Sequence, residues 1–262
     1  MINGRLRLDK PRNVKGAWSD IKFKGAHNLT GELKVVSIYR ENGQYWASLP
    51  FEVMVPAKPK TGAETAVDVN VGHLDYTAGR VNTLPSHLQK IYQRIKHYQR
   101  VLAHKCKVNG RLATQSKNYA KTRAKLQRDY RRVANVQHDL MQKFTTQLVN
   151  TYDQLVIEDL AVKKMQMSHV AAKGLQRSMF GYFRQVLTYK CEWYGKILSV
   201  ADRFYPSTQR CSVCGHIKQG DDKVTLAGNH KHHTKHDEYI CYQCGATLDR
   251  DANAVANLLA LI

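Results

Sequence analysis

Apolar and polar positions alternate over residues 19–55, which is the pattern of half-buried β-strands. The alternation begins near Ser19 and is clearest over residues 33–39 and 44–55, on either side of Asn42-Gly43. An Asn-Gly pair favours the positive φ angles of a tight hairpin. About three strands are too few to close a barrel. The pattern therefore predicts part of an antiparallel β-barrel, followed by a linker over residues 56–62.

The next segment combines short strands with two long amphipathic helices. Residues 65–71 are rich in β-branched side chains and, with residues 73–77, predict two antiparallel strands before a turn at Gly79. Apolar residues then recur every three to four positions, which predicts two helices separated at Asn109-Gly110. The recurring positions are Leu88, Ile91, Ile95, Tyr98 and Leu102 in the first helix and Leu126, Tyr130, Val133, Leu140 and Phe144 in the second.

Strands and helices continue to alternate to the end of the sequence. Residues 152–160 and 197–200 predict two further strands, and a last helix begins at Asp251 with its apolar residues Val255, Leu258, Leu259 and Ile262 on one face. A stripe of large residues marks the helix between those strands, and we interpret it as core packing in preference to a base-stacking platform. Its members are Leu175, Met179, Tyr182, Val186, Tyr189 and Trp193. The order of elements predicts an α/β fold.

The charge of the chain predicts a polyanionic partner. The 262 residues include 41 Lys and Arg against 21 Asp and Glu, which gives a net charge of +20. Such an excess of positive charge gives a protein affinity for nucleic acids, because its basic side chains neutralise phosphates. Between Ser86 and Arg132 a single acid, Asp129, accompanies fourteen basic residues, which are Lys90, Arg94, Lys96, Arg100, Lys105, Lys107, Arg111, Lys117, Lys121, Arg123, Lys125, Arg128, Arg131 and Arg132. A solvated helix face normally mixes both signs. We therefore interpret the predicted helical hairpin, residues 85–150, as a track for phosphates.

Four of the six cysteines form two Cys-x-x-Cys pairs, Cys211 with Cys214 and Cys241 with Cys244. Two intervening residues let both thiolates of a pair reach one ion at about 2.3 Å, so the spacing predicts a structural Cys₄ zinc site. Two disulfides or a redox pair are the alternatives, but this cysteine usage is not that of a secreted disulfide framework. Nearby histidines could compete as ligands, and we interpret them as solvated loop residues. They are His216, His230, His232, His233 and His236.

Three carboxylates stand where predicted elements begin or end, namely Asp68, Glu158 and Asp251. Oxygen ligands from separate elements are what Mg²⁺ or Mn²⁺ requires. Two such ions about 3.5–4 Å apart can activate a water and stabilise the leaving 3′ oxygen of a phosphodiester. Taken singly, the three could equally be a strand-end residue, a surface acid and a helix N-cap. Three near misses lie beside them, namely Asp75, Asp159 and Asp249.

The order of these motifs resembles the OrfB/TnpB family, proteins encoded beside transposases in small insertion sequences and related to type V CRISPR effectors. The resemblance covers about three quarters of the chain. It rests on the sequences Ala66-Val-Asp68-Val-Asn-Val, Val156-Ile-Glu158-Asp-Leu160, Pro206-Ser-Thr-Gln-Arg-Cys211-Ser-Val-Cys214-Gly, Cys241-Tyr-Gln-Cys244-Gly and Asp249-Arg-Asp251-Ala-Asn-Ala254. It implies an RNase H-like (RuvC) core over residues 63–205, an inserted zinc ribbon over 206–248 and a last RuvC motif helix over 249–262.

The resemblance also implies a function, a metal-dependent and RNA-guided DNA endonuclease linked to transposition and DNA recombination. Asp68, Glu158 and Asp251 would be the catalytic ligands of two Mg²⁺ or Mn²⁺ ions, and Cys211, Cys214, Cys241 and Cys244 would hold a structural Zn²⁺. The expected partners are target DNA and guide RNA. No run approaches the roughly 20 apolar residues of a membrane span and no signal segment opens the chain, so we expect no membrane association and a prokaryotic cytoplasmic location.

The N-terminal part departs from the family pattern. Family members usually carry a complete wedge-like barrel and an inserted helical region, whereas residues 1–62 resemble only the closing strands of that barrel. An incomplete copy and a shortened form that uses an additional subunit or a homodimer are both open. The alternative functions are a truncated RNA- or DNA-binding regulator that does not cleave and, more weakly, a transposase that joins DNA strands itself.

Overall fold

The computed structural model describes residues 5–9, 13, 15, 18–22, 24, 30–41, 43–160, 179–225, 227–229 and 231–262. These residues form two compact units, 1–55 and 56–262, each described separately below. The division between Val55 and Pro56 lies at the start of the segment predicted as a linker.

The described residues of the first unit form three antiparallel strand pairs. Its strands are β1 (Arg5–Asp9), β2 (Trp18–Lys22), β3 (Glu32–Leu33), β4 (Ser37–Glu41), β5 (Gln44–Ser48) and β6 (Phe51–Glu52), paired as β1 with β2, β3 with β6 and β4 with β5. The predicted hairpin is confirmed, since Glu41 pairs with Gln44 and Gly43 has a φ of 80°. Strand β1 was not predicted.

The second unit is a mixed α/β structure, as predicted. Its elements are β7 (Glu64–Asn70), β8 (His73–Tyr76), β9 (Gly79–Asn82), α1 (Ser86–Asn109), α2 (Lys117–Thr151), β10 (Gln154–Glu158), α3 (Phe180–Tyr194), β11 (Ile197–Ala201), β12 (Glu238–Ile240), β13 (Thr247–Asp249) and α4 (Arg250–Leu259). Short 3₁₀ turns occupy residues 110–115 and 220–222. Strand β9 is a correction, because the sequence predicts only a turn at Gly79.

A five-stranded sheet in the order β11-β10-β7-β8-β9 organises this unit. Strands β7, β8 and β9 are antiparallel neighbours, and β10 runs parallel to both β7 and β11. Because strand side chains alternate between faces, the sheet has two distinct sides. Val67 and Ile157 pack with α2 and α3 on one side, while Ala66 and Val156 pack with Val255 and Leu258 of α4 on the other.

The two long helices form the predicted hairpin, with the break at Gly110. Leu88, Ile91 and Ile95 of α1 pack with Val133 of α2 in a cluster of their own. Tyr130 belongs to the predicted apolar stripe but is 45% exposed, and its hydroxyl accepts a hydrogen bond from Gln99 instead.

Helix α3 corrects the predicted aromatic stripe. Its buried face consists of Phe180, Phe183, Val186, Leu187, Lys190 and Cys191, whereas Trp193 is 52% exposed and Tyr182 and Tyr189 are half-buried. Both tyrosine hydroxyls accept a hydrogen bond from Gln142 of α2, at 3.1 Å each, so their polar ends hold them at the flank of the interface. Leu175 lies outside the described residues. Ile262 lies beyond α4 and is exposed, so it is not part of the core that the other predicted residues of this helix join.

Candidate functional site

A row of charged side chains crosses the sheet on the side that α4 covers. Asp68 of β7 pairs with Asp75 of β8, and Asp75 pairs with Arg80 of β9. On its other edge β7 pairs with β10, and the last pair is Val67 with Ile157. Asp68 and Glu158 are the next residues of the two strands. Paired residues on neighbouring strands share a face of the sheet, so carboxylates from three strands lie side by side.

Helix α4 adds Asp251 to this row. The helix is capped by Asp249, whose carboxylate accepts a hydrogen bond from the Ala252 amide at 2.8 Å. The N-cap interpretation of Asp251 is therefore wrong, because Asp251 lies in the first turn and is only 6% exposed. Its side chain is free to face the sheet instead of closing the helix.

Asp251 is surrounded by basic groups. It accepts hydrogen bonds from Arg80 Nη2 at 2.9 Å and Arg250 Nη2 at 3.0 Å, and its Oδ2 lies 3.3 Å from His73 Nε2. Burial raises the pKa of Asp251, but the hydrogen bond and charge of Arg250, with those of His73, outweigh that effect and leave the pKa below its ordinary value. Asp251 is therefore ionised at neutral pH.

Asp68 is in the opposite electrostatic situation. Burial, reinforced by the negative charge of Glu158, raises the pKa of Asp68 to about 8, and the hydrogen bond from Asn70 Nδ2 at 2.8 Å opposes this only partly. Burial also raises the pKa of Glu158, which accepts hydrogen bonds from Ser207 Oγ and from Asp68. Asp68 and Glu158 thus compete for one proton at a desolvated site. A divalent cation bound there would compensate the negative charge of both carboxylates.

Asp75, a near miss in the sequence, is part of the cluster. Its carboxylate accepts a 2.6 Å hydrogen bond from Arg80 Nε and a 3.2 Å hydrogen bond from Asn70 Nδ2, and His73 Nε2 lies 3.2 Å from it. His73, Asp75 and Asp251 place ligand atoms within 4.8 Å of one another. Asp159, by contrast, pairs with Arg184 and Arg203.

The donor set suits a hard divalent cation. Carboxylate oxygens from two neighbouring parallel strands, an antiparallel strand and a helix start converge, and Mg²⁺ and Mn²⁺ prefer such oxygens. Of the predicted residues, Asp251 belongs to the 4.8 Å group with His73 and Asp75, and Asp68 is linked to Glu158 and Asp251 through the charges that both exert on it. Sequence reasoning missed His73, which lies two residues before Asp75 on β8 and therefore on the same face. It also missed Arg80, which a correct assignment of β9 would have placed beside Asp75.

The four paired cysteines form a second cluster, with all four sulfurs within 4.8 Å of one another. Cys211 Sγ lies 3.8 Å from Cys244 Sγ, and Cys214 Sγ lies 3.6 Å from Cys241 Sγ. A tetrahedron with metal–sulfur bonds of about 2.3 Å has edges of about 3.8 Å. The cluster therefore has the size of a Cys₄ zinc site.

Both cysteine pairs lie in turns of the same construction. The amide of Cys211 donates to the carbonyl of His216, and the amide of Gly215 donates back to Cys211. The second turn repeats this pattern at Cys241, where β12 and β13 extend it. Of the neighbouring histidines, His230 lies outside the described residues, and His232 is half-buried, stacks on Tyr242 and pairs with Asp222.

Two asparagines join the cysteine cluster to the helix that carries Asp251. Asn253 Nδ2 donates to the Arg210 carbonyl at 2.7 Å, and its Oδ1 accepts from the Ser212 amide at 2.9 Å. Asn257 Nδ2 donates to the carbonyls of Ser207 and Arg210, at 2.8 and 2.6 Å. Strand β13 also runs directly into α4. The cysteine-bearing segment and the helix thus form one hydrogen-bonded block.

Asn257→Ala is expected to lower the free energy of unfolding by about 2–3 kcal/mol, because it removes two hydrogen bonds and leaves the buried Ser207 carbonyl unsatisfied. Urea denaturation of the zinc-loaded protein checks this. Asn150→Ala, an exposed change in α2, is the control and should shift stability by less than about 0.5 kcal/mol. Equal effects of the two changes would contradict the bracing role of Asn257.

The helical hairpin presents mostly positive charge to solvent. Of its two acids, Asp129 is buried and accepts two 2.9 Å hydrogen bonds from Arg94, and Asp139 is exposed and pairs with Lys143. Lys121, Lys125 and Arg128 are exposed on α2. Since both acids are paired with basic residues, the outer surface remains strongly cationic. Among the described residues no helix has the length and apolarity to cross a membrane.

Two family models match the chain. The OrfB_IS605 model, described as "Probable transposase", matches residues 48–169, and the model described as "Cas12f1-like, TNB domain" matches residues 180–258. The second match includes the cysteine cluster and most of α4. The resemblance found in the sequence motifs is thereby confirmed.

Curated relatives agree with these matches. The chain is 31% identical over 263 residues to a "Putative RNA-guided DNA endonuclease" of Streptomyces pristinaespiralis, covering 98% of the chain and 59% of the relative. It is 28% identical over 259 residues to the "Putative RNA-guided DNA endonuclease InsQ" of Escherichia coli (strain K12), covering 92% and 59%. A "TnpB-like protein L79" of Acanthamoeba polyphaga mimivirus is 33% identical over 165 residues, covering 58% and 29%.

The chain spans about three fifths of the length of the first two relatives. Among solved structures, a chain of the "Cas12f1-sgRNA-target DNA complex" aligns with a TM-score of 0.47 and 14% identity, covering 86% of this chain and 55% of that one.

Proposed function

Because this chain belongs to the OrfB/TnpB family, we propose that it is a metal-dependent, RNA-guided DNA endonuclease associated with transposition and DNA recombination. Its catalytic centre would be an RNase H-like (RuvC) core made of the five-stranded sheet and α4. The substrates would be target DNA paired with a guide RNA, with base pairing reading the sequence.

The convergence of Asp68, Glu158 and Asp251 carries this proposal. The three residues come from β7, β10 and α4. Burial is the main cause of the raised pKa of Asp68, and the negative charges of Glu158 and Asp251 raise that pKa further, which indicates that the three carboxyl groups are close to one another. We assign them as ligands of two Mg²⁺ or Mn²⁺ ions, with Asp75 offering further oxygens. When bound, the ions would supply an activated water and stabilise the leaving 3′ oxygen.

The protein's own residues would hold these ligands in place. Arg80 bridges Asp75 and Asp251 and fixes the direction of both carboxylates, while about half of its side chain remains exposed to solvent. Ser207 and Asn70 orient Glu158 and Asp68. We assign Arg80 as a positioning residue whose exposed edge can also meet a phosphate.

The cysteine cluster would hold a structural Zn²⁺ within a ribbon insert over residues 206–248. In the same proposal, residues 1–62 form part of a wedge-like barrel, 63–205 form the nuclease core and 249–262 form its last helix. We place the protein in the prokaryotic cytoplasm, where guide RNA and target DNA are both accessible.

The direct test uses purified protein with its co-purifying RNA. That RNA is sequenced, and double-stranded DNA matching its guide segment is incubated with the complex and Mg²⁺. We expect cleavage that requires the matching sequence and the metal ion. Binding of RNA and DNA without any metal-stimulated cutting would overturn the proposal and favour the second candidate below.

The second candidate is an RNA- or DNA-binding regulator derived from such an endonuclease. The strongly cationic surface of the α1–α2 hairpin favours it, because such a surface can bind phosphates without any need for catalysis. The retained carboxylates favour the endonuclease, since a binding protein has no use for buried acids that compete for a proton.

Both candidates predict that the hairpin binds nucleic acid backbones. Removing three charges together, Lys121→Gln, Lys125→Gln and Arg128→Gln, should weaken binding equally for all sequences and reduce the slope of log K against log salt concentration by about 2–3. Fluorescence anisotropy over a salt series measures this. Lys143→Gln, an exposed lysine of α2 that pairs with Asp139, is the matched control. An unchanged slope in the triple variant would place the phosphate contacts elsewhere.

A further inference from the structure

A buried lysine lies beside the cysteine cluster. Lys218 is 1% exposed, and its Nζ has no hydrogen-bond partner in the part of the chain that the structure describes. The ammonium group lies 4.3 Å from the ring centroid of Tyr239 and 4.1 Å from that of Tyr242. Lysine normally keeps its charged end in water, so this burial requires a physical reason.

The two aromatic rings compensate only part of the cost. A buried ammonium loses its hydration, and cation–π contacts return a small fraction of that loss. Asp222, a carboxylate whose charge acts on Lys218, already pairs with Lys231 and His232. A further negative charge is therefore needed close to Lys218.

The cysteine cluster supplies that charge when it holds zinc. Four thiolates around one Zn²⁺ carry a net charge of 2 − 4 = −2, and the shell around a metal site sets how tightly the metal binds. Burial lowers the pKa of Lys218, and Cys241 and Cys211 act against this and raise it. The packing agrees with this, because Tyr239, whose ring the ammonium contacts, lies in one buried cluster with Cys211 and Cys241.

The backbone fixes Lys218 in this place. The Gln209 carbonyl, two residues before Cys211, accepts hydrogen bonds from the Lys218 amide and from the Tyr239 hydroxyl, both at 3.1 Å. Tyr242 follows Cys241 directly in the chain. Both rings that contact the ammonium are therefore tied to the cysteine turns.

We propose that the Lys218 ammonium is the counter-charge of the zinc tetrathiolate, held against it by Tyr239 and Tyr242. Lys218 is then a positioning residue of the metal centre that stabilises the loaded site and destabilises the metal-free one. This inference concerns the ribbon alone and does not depend on DNA cleavage.

Opposite effects on the two states follow from this role. Lys218→Met keeps the length and packing of the side chain but removes its charge. Zinc affinity should fall about 10- to 100-fold, the effect typical of losing a group that supports metal ligands. The metal-free protein should melt at the same temperature or higher, because a buried charge without a partner has been removed.

The test uses the full chain. Zinc affinity is measured by competition with a chromophoric chelator, and Co²⁺ absorption reports whether four thiolates still bind. Lys223→Met, an exposed lysine of the same segment, is the matched control and should change affinity less than about twofold. Lys218→Arg keeps the charge and should keep most of the affinity.

Three results would overturn the proposal. One is a Lys218→Met protein that binds zinc as tightly as the Lys223→Met control. Another is an equal loss of affinity in Lys218→Met and Lys218→Arg, which would assign the effect to packing. The third is a metal-free Lys218→Met protein that melts well below the metal-free parent.

Discussion

Asp68→Asn is expected to abolish Mg²⁺-dependent DNA cleavage, by about 10³-fold or more, and at the same time to stabilise the protein in Mg²⁺-free buffer. The substitution keeps the shape of the side chain and its position on β7. It removes a carboxylate that the proposed metal ions need and that the protein without them must keep buried beside Glu158. One change thus separates the catalytic role of Asp68 from its effect on stability.

The expected pH dependence follows from the raised pKa of Asp68. In the unfolded chain this carboxyl ionises near 3.8, whereas in the folded protein its pKa is about 8. Between these pH values the folded state holds a proton that the unfolded state has released. Stability therefore falls as pH rises through this window, and asparagine removes the fall.

Melting temperatures at pH 5 and pH 8 provide the measurement. The buffer is freed of Mg²⁺ by resin treatment and contains no chelator, so that a zinc ion in the ribbon is retained. At pH 8 we expect Asp68→Asn to gain roughly 1–2 kcal/mol over the parent, about 2–4 °C for each kcal/mol, and at pH 5 much less. Added Mg²⁺ should raise the melting temperature of the parent but not of the variant.

Asp139→Asn is the matched control. Asp139 is an exposed carboxylate of α2, and its change should leave both cleavage and the pH dependence as in the parent. Cleavage by Asp68→Asn at the parental rate would remove Asp68 from the proposed metal site. Reduced stability at pH 8 would contradict the description of Asp68 and Glu158 as competing for one proton.

The row of charged side chains shows which parts of the site could be predicted from the sequence and which could not. The alternation within residues 65–71 and the position of Glu158 at the end of a buried strand identify two acids that could meet. The register between strands is not encoded by either segment alone, so neither the row nor the place of Asp75 in it could be derived. Strand β9 escaped prediction because its residues are mostly exposed and lack an apolar alternation, and Arg80 was missed with it.

Two further differences have equally local causes. In α3, the sequence predicts that the large aromatic residues are buried, but Phe183, Leu187 and Cys191 are the residues in the core. Tyr182 and Tyr189 lie beside this face instead, because their hydroxyls form hydrogen bonds with Gln142. The cysteine spacing did predict the metal-sized cluster. The two asparagines that join it to α4 are ordinary helix residues in the sequence, and only the fold shows what they bind.

Removal of zinc is expected to unfold the C-terminal part of the chain and to abolish any cleavage, while the α1–α2 hairpin stays folded. Structural zinc contributes on the order of 10 kcal/mol to small domains that depend on it. In the described residues, Cys211 and Cys241 belong to a small cluster with Val224 and Tyr239, too little apolar surface to hold the ribbon without metal. The hairpin has its own apolar cluster and should therefore stay folded when zinc is removed.

Asp251 makes this local unfolding matter for catalysis. Strand β13 leads directly into α4, and Asn253 and Asn257 bind backbone groups that the ribbon holds in place. Without the ribbon, α4 loses these contacts, and Asp251 is no longer held beside Arg80 and the sheet. Loss of zinc should therefore act on the proposed Mg²⁺ site through the position of one carboxylate.

Hydrogen exchange measured by mass spectrometry checks the prediction segment by segment. Cys241→Ser, or treatment of the parent with a zinc-selective chelator, should remove protection from residues 238–259 and leave residues 86–109 protected. Cys106→Ser, outside the cluster, is the matched control. Re-addition of Zn²⁺ should restore protection and any cleavage in the chelated parent, whereas excess Mg²⁺ should restore neither. Undiminished protection of α4 after zinc removal would show that the helix, and Asp251 with it, is held by the sheet alone.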